Sequence, residues 1–239
     1  MNMKQLIKAL VNDGQWSRLR TVYFAAKLYN RERIFCISMQ RNGTSSCGQF
    51  LKDFGYRVAT YPVSSQMGWS YDWLDGNFDA IFKSLTFHSF QAYEDDPWWS
   101  PDFYKYIYYR FPKSRFILFS RDSNKWFDSM LRHSKGKNPG NTYGHSKVYQ
   151  RLYEYYFNKD QCEGFNPANN QVDNLLTLEG KREHYIRVYE TYNREVLDFF
   201  ENHNPSRLFT GKLEDDNKWI KLGEFLNISV SPEYNVHIK

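Results

Sequence analysis

Residues 33–51, RIFCISMQRNGTSSCGQFL, hold the side-chain types that an anion site needs. Arg41 supplies a fixed positive charge, and Thr44, Ser45 and Ser46 supply hydroxyl donors. Gly43 lets the main chain come close to a ligand. A turn between a strand and a helix also presents free backbone N–H groups and the positive end of the helix dipole, a ready anion site. A second set lies in FILFSRDSNKWFDSM, residues 116–130. Arg121 closes an apolar run, at the edge where open α/β sheets bind ligands. Ser129 follows just over two helical turns later, so both can face one phosphate. The guanidinium offers a planar fork suited to that group. The nucleotide-triphosphatase pattern GxxxxGK[ST] is not met: no glycine stands five residues before Gly43, and Thr44 holds the lysine position. That speaks against an ATP-dependent P-loop kinase.

These residues need strands and helices to position them. An apolar run predicts a first strand over 33–39, and a helix over 45–54 ends near Gly55, a C-cap candidate. A short strand over 57–61 stops at Pro62. Residues 63–77 give no clear pattern, FDAIFKS at 78–84 reads as another strand, and 86–99 reads as irregular. Ser100-Pro101-Asp102 has the chemistry of a helix start, and that helix must end before Pro112. RFILFS, 115–120, is nearly all apolar, as expected for a parallel strand covered on both faces. Helices are expected over 123–132, 145–157, 178–203 and 216–226. A last strand is expected over 207–210, long loops over 133–144 and 158–177, and an extended tail. Residues 3–30 carry helical periodicity and form an N-terminal extension expected to pack onto the sheet. The expected fold is an α/β three-layer sandwich with a mostly parallel central sheet and a strand–P-loop-like turn–helix anion site, plus that N-terminal helical extension. The expected division is 1–32 for the extension and 33–239 for one α/β domain.

The chain has 239 residues and 41% hydrophobic residues, enough to build a core, and 19% are aromatic. A formal charge of +5 is mild. It suits a small anionic ligand and lacks the dense basic stripe of a nucleic-acid binder. Cys36, Cys47 and Cys162 show no CxxC spacing, which fits a reducing compartment without a zinc site or disulfide framework. No run approaches the length of a membrane span, and a soluble, cytoplasmic protein is expected.

QRNGTSS resembles the 5′-phosphosulfate loop of sulfotransferases that use 3′-phosphoadenosine 5′-phosphosulfate (PAPS), typically Pro-Lys/Arg-x-Gly-Thr-Thr. SRDSNKWFDSM resembles their 3′-phosphate segment, with an arginine first and a serine eight residues later. RLFTGKLEDDNKWIKLGEFLNISV, 207–230, is similar to the closing strand–loop–helix of a bacterial-type branch. The likeness implies a sulfotransferase moving a sulfuryl group from PAPS, without a metal, to a hydroxyl or amine of a small-molecule or carbohydrate acceptor. It implies a PAPS site made of Arg41, Asn42, Gly43, Thr44, Ser45, Ser46, Arg121 and Ser129, with Arg41 neutralising the leaving group. Gln40 stands where the family has proline, and Ser46 where many members stack a tryptophan on adenine. Trp69, Trp73 or an aromatic of 145–157 would replace that ring. Lys83, ending FKS as a Lys-Thr-His segment ends a strand in cytosolic members, would be a second charge near the sulfuryl group. Candidate bases are His88, His145, Glu94, Asp95 and Asp96. The alternatives are a non-catalytic nucleotide binder of the same fold and a kinase-like enzyme using ATP and Mg²⁺.

Overall fold

Apolar residues fill both parities of the central strands, which dictates a sheet covered on both sides. The structure, a computed structural model, describes residues 12–137, 142–161 and 176–238. Five strands form one sheet: β1 (Ile34–Cys36), β2 (Val58–Ala59), β3 (Ala92–Tyr93), β4 (Arg115–Ser120) and β5 (Leu208–Lys212). Their order is β2-β3-β1-β4-β5, and every pairing is parallel. Ile34, Phe35 and Cys36 face Arg115, Phe116 and Ile117 in register. The chain runs from β1 outward through β2 and β3, then crosses to β4 on the other side. The carboxyl ends of β1 and β4 therefore flank a topological switch point, where sheets of this kind open a crevice.

One face of the sheet carries Phe35, Ile37, Phe116 and Leu118, packed with Trp69, Trp98, Trp126, Tyr185, Tyr189 and Phe200. The other carries Ile34, Cys36, Ile117 and Phe119, packed with Cys47, Phe50, Trp219 and Leu222. The first face is covered by α7 (Phe103–Arg110), α8 (Ser123–Ser134) and α11 (Arg182–His203), and the second by α2 (Thr44–Asp53) and α12 (Lys218–Leu226). This is the expected three-layer α/β arrangement. Burying one such large side chain contributes roughly 1.5–3 kcal/mol, so the aromatic face dominates the core energetics.

Several boundaries differ from the sequence reading. Residues 78–84 are not a strand: α5 (Phe78–Phe82) is a helix whose Ile81 and Phe82 are buried. The apolar positions 78, 81 and 82 have helical spacing, which outweighs the strand-like composition. The strand in this part of the chain is β3, inside the segment expected to be irregular. Residues 61–74 form two short helices, α3 (Tyr61–Met67) and α4 (Trp69–Leu74), sharing Gly68 as a cap at φ 70°. With α5 and α6 (Leu85–His88) they make up the β2–β3 connection. The Ser100-Pro101-Asp102 start is displaced, since α7 begins at Phe103. The expected 145–157 helix is two, α9 (Thr142–Val148) and α10 (Leu152–Gln161), broken at Gln150, whose φ is 55°.

Within the extension, α1 (Asp13–Leu28) is capped by a reciprocal box between Asn12 and Gln15. It packs against α6, burying Ala25 and Leu28 and leaving Leu19, Val22 and Tyr23 exposed. The expected helix over 3–11, part of the 133–144 loop, Cys162 and most of the 158–177 loop lie outside the described residues. Among those residues no helix is long and apolar enough to cross a membrane.

Candidate active site

A cleft of about 1430 Å³ runs along the carboxyl edge of the sheet. It is lined by segments that follow all five strands: Gln40, Arg41, Gly43, Thr44, Ser45 and Ser46 after β1, Thr60 after β2, Glu94, Asp95 and Asp96 after β3, Arg121 after β4, and Leu213 with Glu214 after β5. Everything the sheet positions therefore converges on one place.

The β1 loop is held by its own turn and by both neighbours. Asn42 N–H and Nδ2 both donate to Met39 O, at 3.2 and 3.1 Å. Ser38 Oγ accepts from Phe119 N–H at 2.7 Å, tying the loop's root to β4. Gly43 caps α2 with φ 72° and no side-chain cap bond, so its first-turn N–H groups have no side chain competing for them. That positive φ favours glycine, and a Cβ there would also meet the Leu213 side-chain tip at 2.8 Å. Thr44 Oγ1 donates to Asp95 Oδ2 at 3.2 Å, and Ser45 is exposed to the cleft. Ser46 Oγ accepts from Ile238 N–H at 2.9 Å, and the tail residues Asn235 to Ile238 line this end.

The second segment arrives beside the first. Arg41 Nε donates to Ser129 Oγ at 3.2 Å, and its Nη1 lies 3.5 Å from His133 Nδ1. Arg121 reaches Glu214 only at 3.8 Å, and its buried Nε has no hydrogen-bond partner. Burial first, and Arg121 second, push the Arg41 guanidinium below its usual range; Arg132 acts in the same sense and Asp95 opposes. Three arginines so close together hold a positive potential that a multiply charged anion would relieve. Arg132 and His133 escaped the sequence reading, although they lie three and four residues beyond Ser129, on its helical face.

Tyr189, on α11, joins the two segments. Its hydroxyl donates to Asn42 Oδ1 at 3.0 Å and accepts from Arg121 N–H at 3.0 Å. Its ring stacks on Trp126 at 4.3 Å, and Trp126 Nε1 donates to Gln40 O at 2.9 Å. Gln40 Nε2 in turn donates to Tyr149 Oη at 3.0 Å. Asn42 is fully buried and absent from the cleft wall, so its side chain braces the loop and does not face a ligand.

Residues 33–236 match the family model described as a sulfotransferase domain. The chain belongs to the sulfotransferase family. A crystal structure of a sulfotransferase from Alicyclobacillus acidocaldarius shares 12% sequence identity with it, with 87% of each chain covered and a TM-score of 0.41. No curated protein matches the chain.

In this sulfotransferase two expected site residues fall outside the cleft. Lys83 ends α5 as an exposed lysine paired with Asp79 at 2.6 Å, because its segment is helical and turns away from the sheet edge. His88 lies near the opposite edge of the sheet. Its Nδ1 is 3.0 Å from Arg33 Nη2 and its Nε2 is 2.8 Å from Phe82 O. Burial, then Arg33, lower its pKa. Trp69 is a core residue, whereas Trp73 lines the cleft with Tyr61, Tyr71 and Trp99.

The remaining base candidates all reach the cleft wall. His145 is buried, with Nε2 2.7 Å from Tyr185 Oη. Asp95 is engaged by Thr44, and burial raises its pKa. Asp96 takes a hydrogen bond from Ser70 Oγ, and burial lifts it to about 6. Glu94 is lifted further, to about 8, by burial and then by Asp95.

Proposed function

We propose that the cleft binds PAPS and transfers its sulfuryl group to a hydroxyl or amine of an acceptor. The observation that carries this reading is the meeting of two anion sites at one switch point: the uncapped α2 N-terminus, and the Arg41–Arg121–Ser129 cluster. Two phosphate-sized sites on one ligand match a nucleotide phosphorylated at both 5′ and 3′ positions. The absence of a P-loop lysine weighs against ATP.

In this mechanism the α2 N-terminus, Thr44 and Ser45 hold the 5′-phosphosulfate, while Arg121 and Ser129 hold the 3′-phosphate. Of the two expected tryptophans, Trp73 lines the cleft and Trp69 does not, so Trp73, though largely buried, is the ring the adenine would meet. The acceptor oxygen forms a bond to sulfur as the bond from sulfur to the 5′-phosphate oxygen breaks. The electron pair stays on that oxygen, giving 3′,5′-ADP. Arg41 neutralises the charge growing there, the kind of preorganised electrostatic help that supplies most of such a barrier reduction. Asp96 takes the acceptor's proton; a carboxylate lifted to about 6 is a better base than an ordinary one and is still ionised at neutral pH.

Thermal stabilisation by 3′,5′-ADP, 5′-AMP and ATP–Mg²⁺ tests the reading. A ligand at about 100 times its Kd adds about 2.7 kcal/mol, or roughly 5–10 °C for a chain of this size. A selective response to 3′,5′-ADP is expected. A response to ATP–Mg²⁺ alone would overturn it.

A further inference from the structure

The wall opposite the arginines has the reverse chemistry. Glu94, Asp95 and Asp96 follow β3 without a break, and all three line the cleft. No ion pair among the described residues engages any of them. Of the nearby lysines, Lys147 donates to Leu74 O and covers Trp73, and Lys52 lines the cleft and acts on Glu94 without forming an ion pair with it. Glu94 is only 3% exposed, yet its Oε2 has no hydrogen-bond partner among the described residues. Ser64, fully buried on α3, lines the same cleft with its hydroxyl likewise unpartnered.

The fold makes room for this carboxylate. A Cβ on Gly48 would lie 2.8 Å from Glu94 Cγ, so α2 has no side chain where the glutamate stem passes. Burying a carboxylate without a partner is costly. A buried oxygen and a buried hydroxyl, both unpartnered and both on a cleft wall, are groups that a ligand satisfies. No group of His, Cys, Asp and Glu among the described residues is arranged as a metal-ligand set. Aromatic rings at the same end, Tyr61, Tyr71 and Trp99, offer faces that attract organic cations.

Resting on the sulfotransferase reading above, we propose that the acceptor is cationic: a hydroxyl compound that also carries a protonated amino group, with Glu94 and Ser64 receiving the ammonium and Asp96 the reacting hydroxyl. An anionic acceptor would face the Asp95 and Asp96 carboxylates and could only be repelled as Glu94 ionises. A neutral one would leave the Glu94 oxygen and the Ser64 hydroxyl without the partner that an ammonium, with its several N–H donors, supplies to both. Glu94, lifted to about 8, favours its protonated form at neutral pH. Burial and Asp95 favour that state; the Tyr61 N–H and Lys52 oppose it, and the Cys47 thiol packed on its other side is itself pushed up. An ammonium bound there expels the proton.

The test uses the complex with 3′,5′-ADP and two matched charge series: tyramine, N-acetyltyramine and 4-hydroxyphenylacetate; and glucosamine, N-acetylglucosamine and glucuronate. Calorimetry in buffers of different ionisation enthalpy gives affinity and protons released together. The cationic member of at least one series should bind more tightly than its neutral partner by about tenfold or more, with proton release at neutral pH. Glu94→Gln should abolish both the preference and the release while keeping 3′,5′-ADP affinity. Binding of 3′,5′-ADP with no cation preference in either series, or a preference without proton release in the wild type, would overturn the proposal. Failure of 3′,5′-ADP itself to bind would overturn the donor reading instead.

Discussion

Tyr189→Phe removes one oxygen atom and should damage both phosphate segments at once. The ring and its stack on Trp126 at 4.3 Å remain. What is lost is the hydroxyl that donates to Asn42 Oδ1 and accepts from Arg121 N–H, each at 3.0 Å. Asn42 is fully buried, so water cannot replace the donor. Leaving a buried polar group unpaired costs about 1–3 kcal/mol. With two groups affected, one of them only half-buried, the loss should be about 2–4 kcal/mol, or roughly 4–16 °C in Tm. Because Asn42 braces the Arg41–Gly43 turn and Arg121 anchors the second segment, 3′,5′-ADP affinity should also fall by about tenfold or more. Circular dichroism melts and calorimetric titration of the variant measure both. A variant with wild-type Tm and wild-type affinity would refute the argument that this hydroxyl holds the two cradles in register. A lower Tm with unchanged affinity would confine its role to stability.

Arg41→Ala should lower turnover with PAPS by about 10²–10³ while the fold survives, checked by circular dichroism and single-turnover kinetics. Asp96 works as a carboxylate, so activity should fall as pH drops through about 6. Asp96→Asn should remove that limb of the pH–rate profile and cost about 10²–10⁴ in rate. Glu94, raised from an ordinary 4.5 to about 8, binds its proton more tightly in the folded protein. Its contribution to stability is full below the unfolded value and is lost as pH rises through about 8. Glu94→Gln should therefore be more stable than wild type at alkaline pH, with the difference shrinking towards acid, read from melts across about pH 5 to 9. Lys83→Ala removes an exposed pair and should change stability by no more than about 0.5 kcal/mol, with turnover unaltered; a large loss of turnover would return Lys83 to the site.

Local chemistry makes the arginine side of the cleft legible in the sequence. An apolar run ending in Arg-x-Gly-Thr, and another ending in Arg, mark the switch point of a parallel sheet wherever the strands are long enough to read. β4, six apolar or flanking residues long, was recognisable to the residue. β3 is two residues long and runs straight into three acids, so its composition reads as loop, and only pairing with β1 and β2 makes it a strand. FDAIFKS has the composition of a strand, and a strand there would bring Lys83 and His88 to the carboxyl edge of the sheet, where helices α5 and α6 do not place them. Arg132 and His133 were readable from their spacing to Ser129. The unpartnered Glu94 oxygen was not, because burial is a property of Gly48 and α3 and not of the acidic run.

The β2–β3 connection, residues 60–91, supplies Tyr61, Ser64, Ser70 and Trp73 to the cleft and none of the arginines. Its two ends are held by strands paired with each other, Val58 opposite Ala92 and Ala59 opposite Tyr93. The arginines of the cleft are rooted elsewhere, after β1, after β4 and on α8. Changes within the β2–β3 connection can therefore reshape one side of the cleft while its attachment points stay fixed by the sheet.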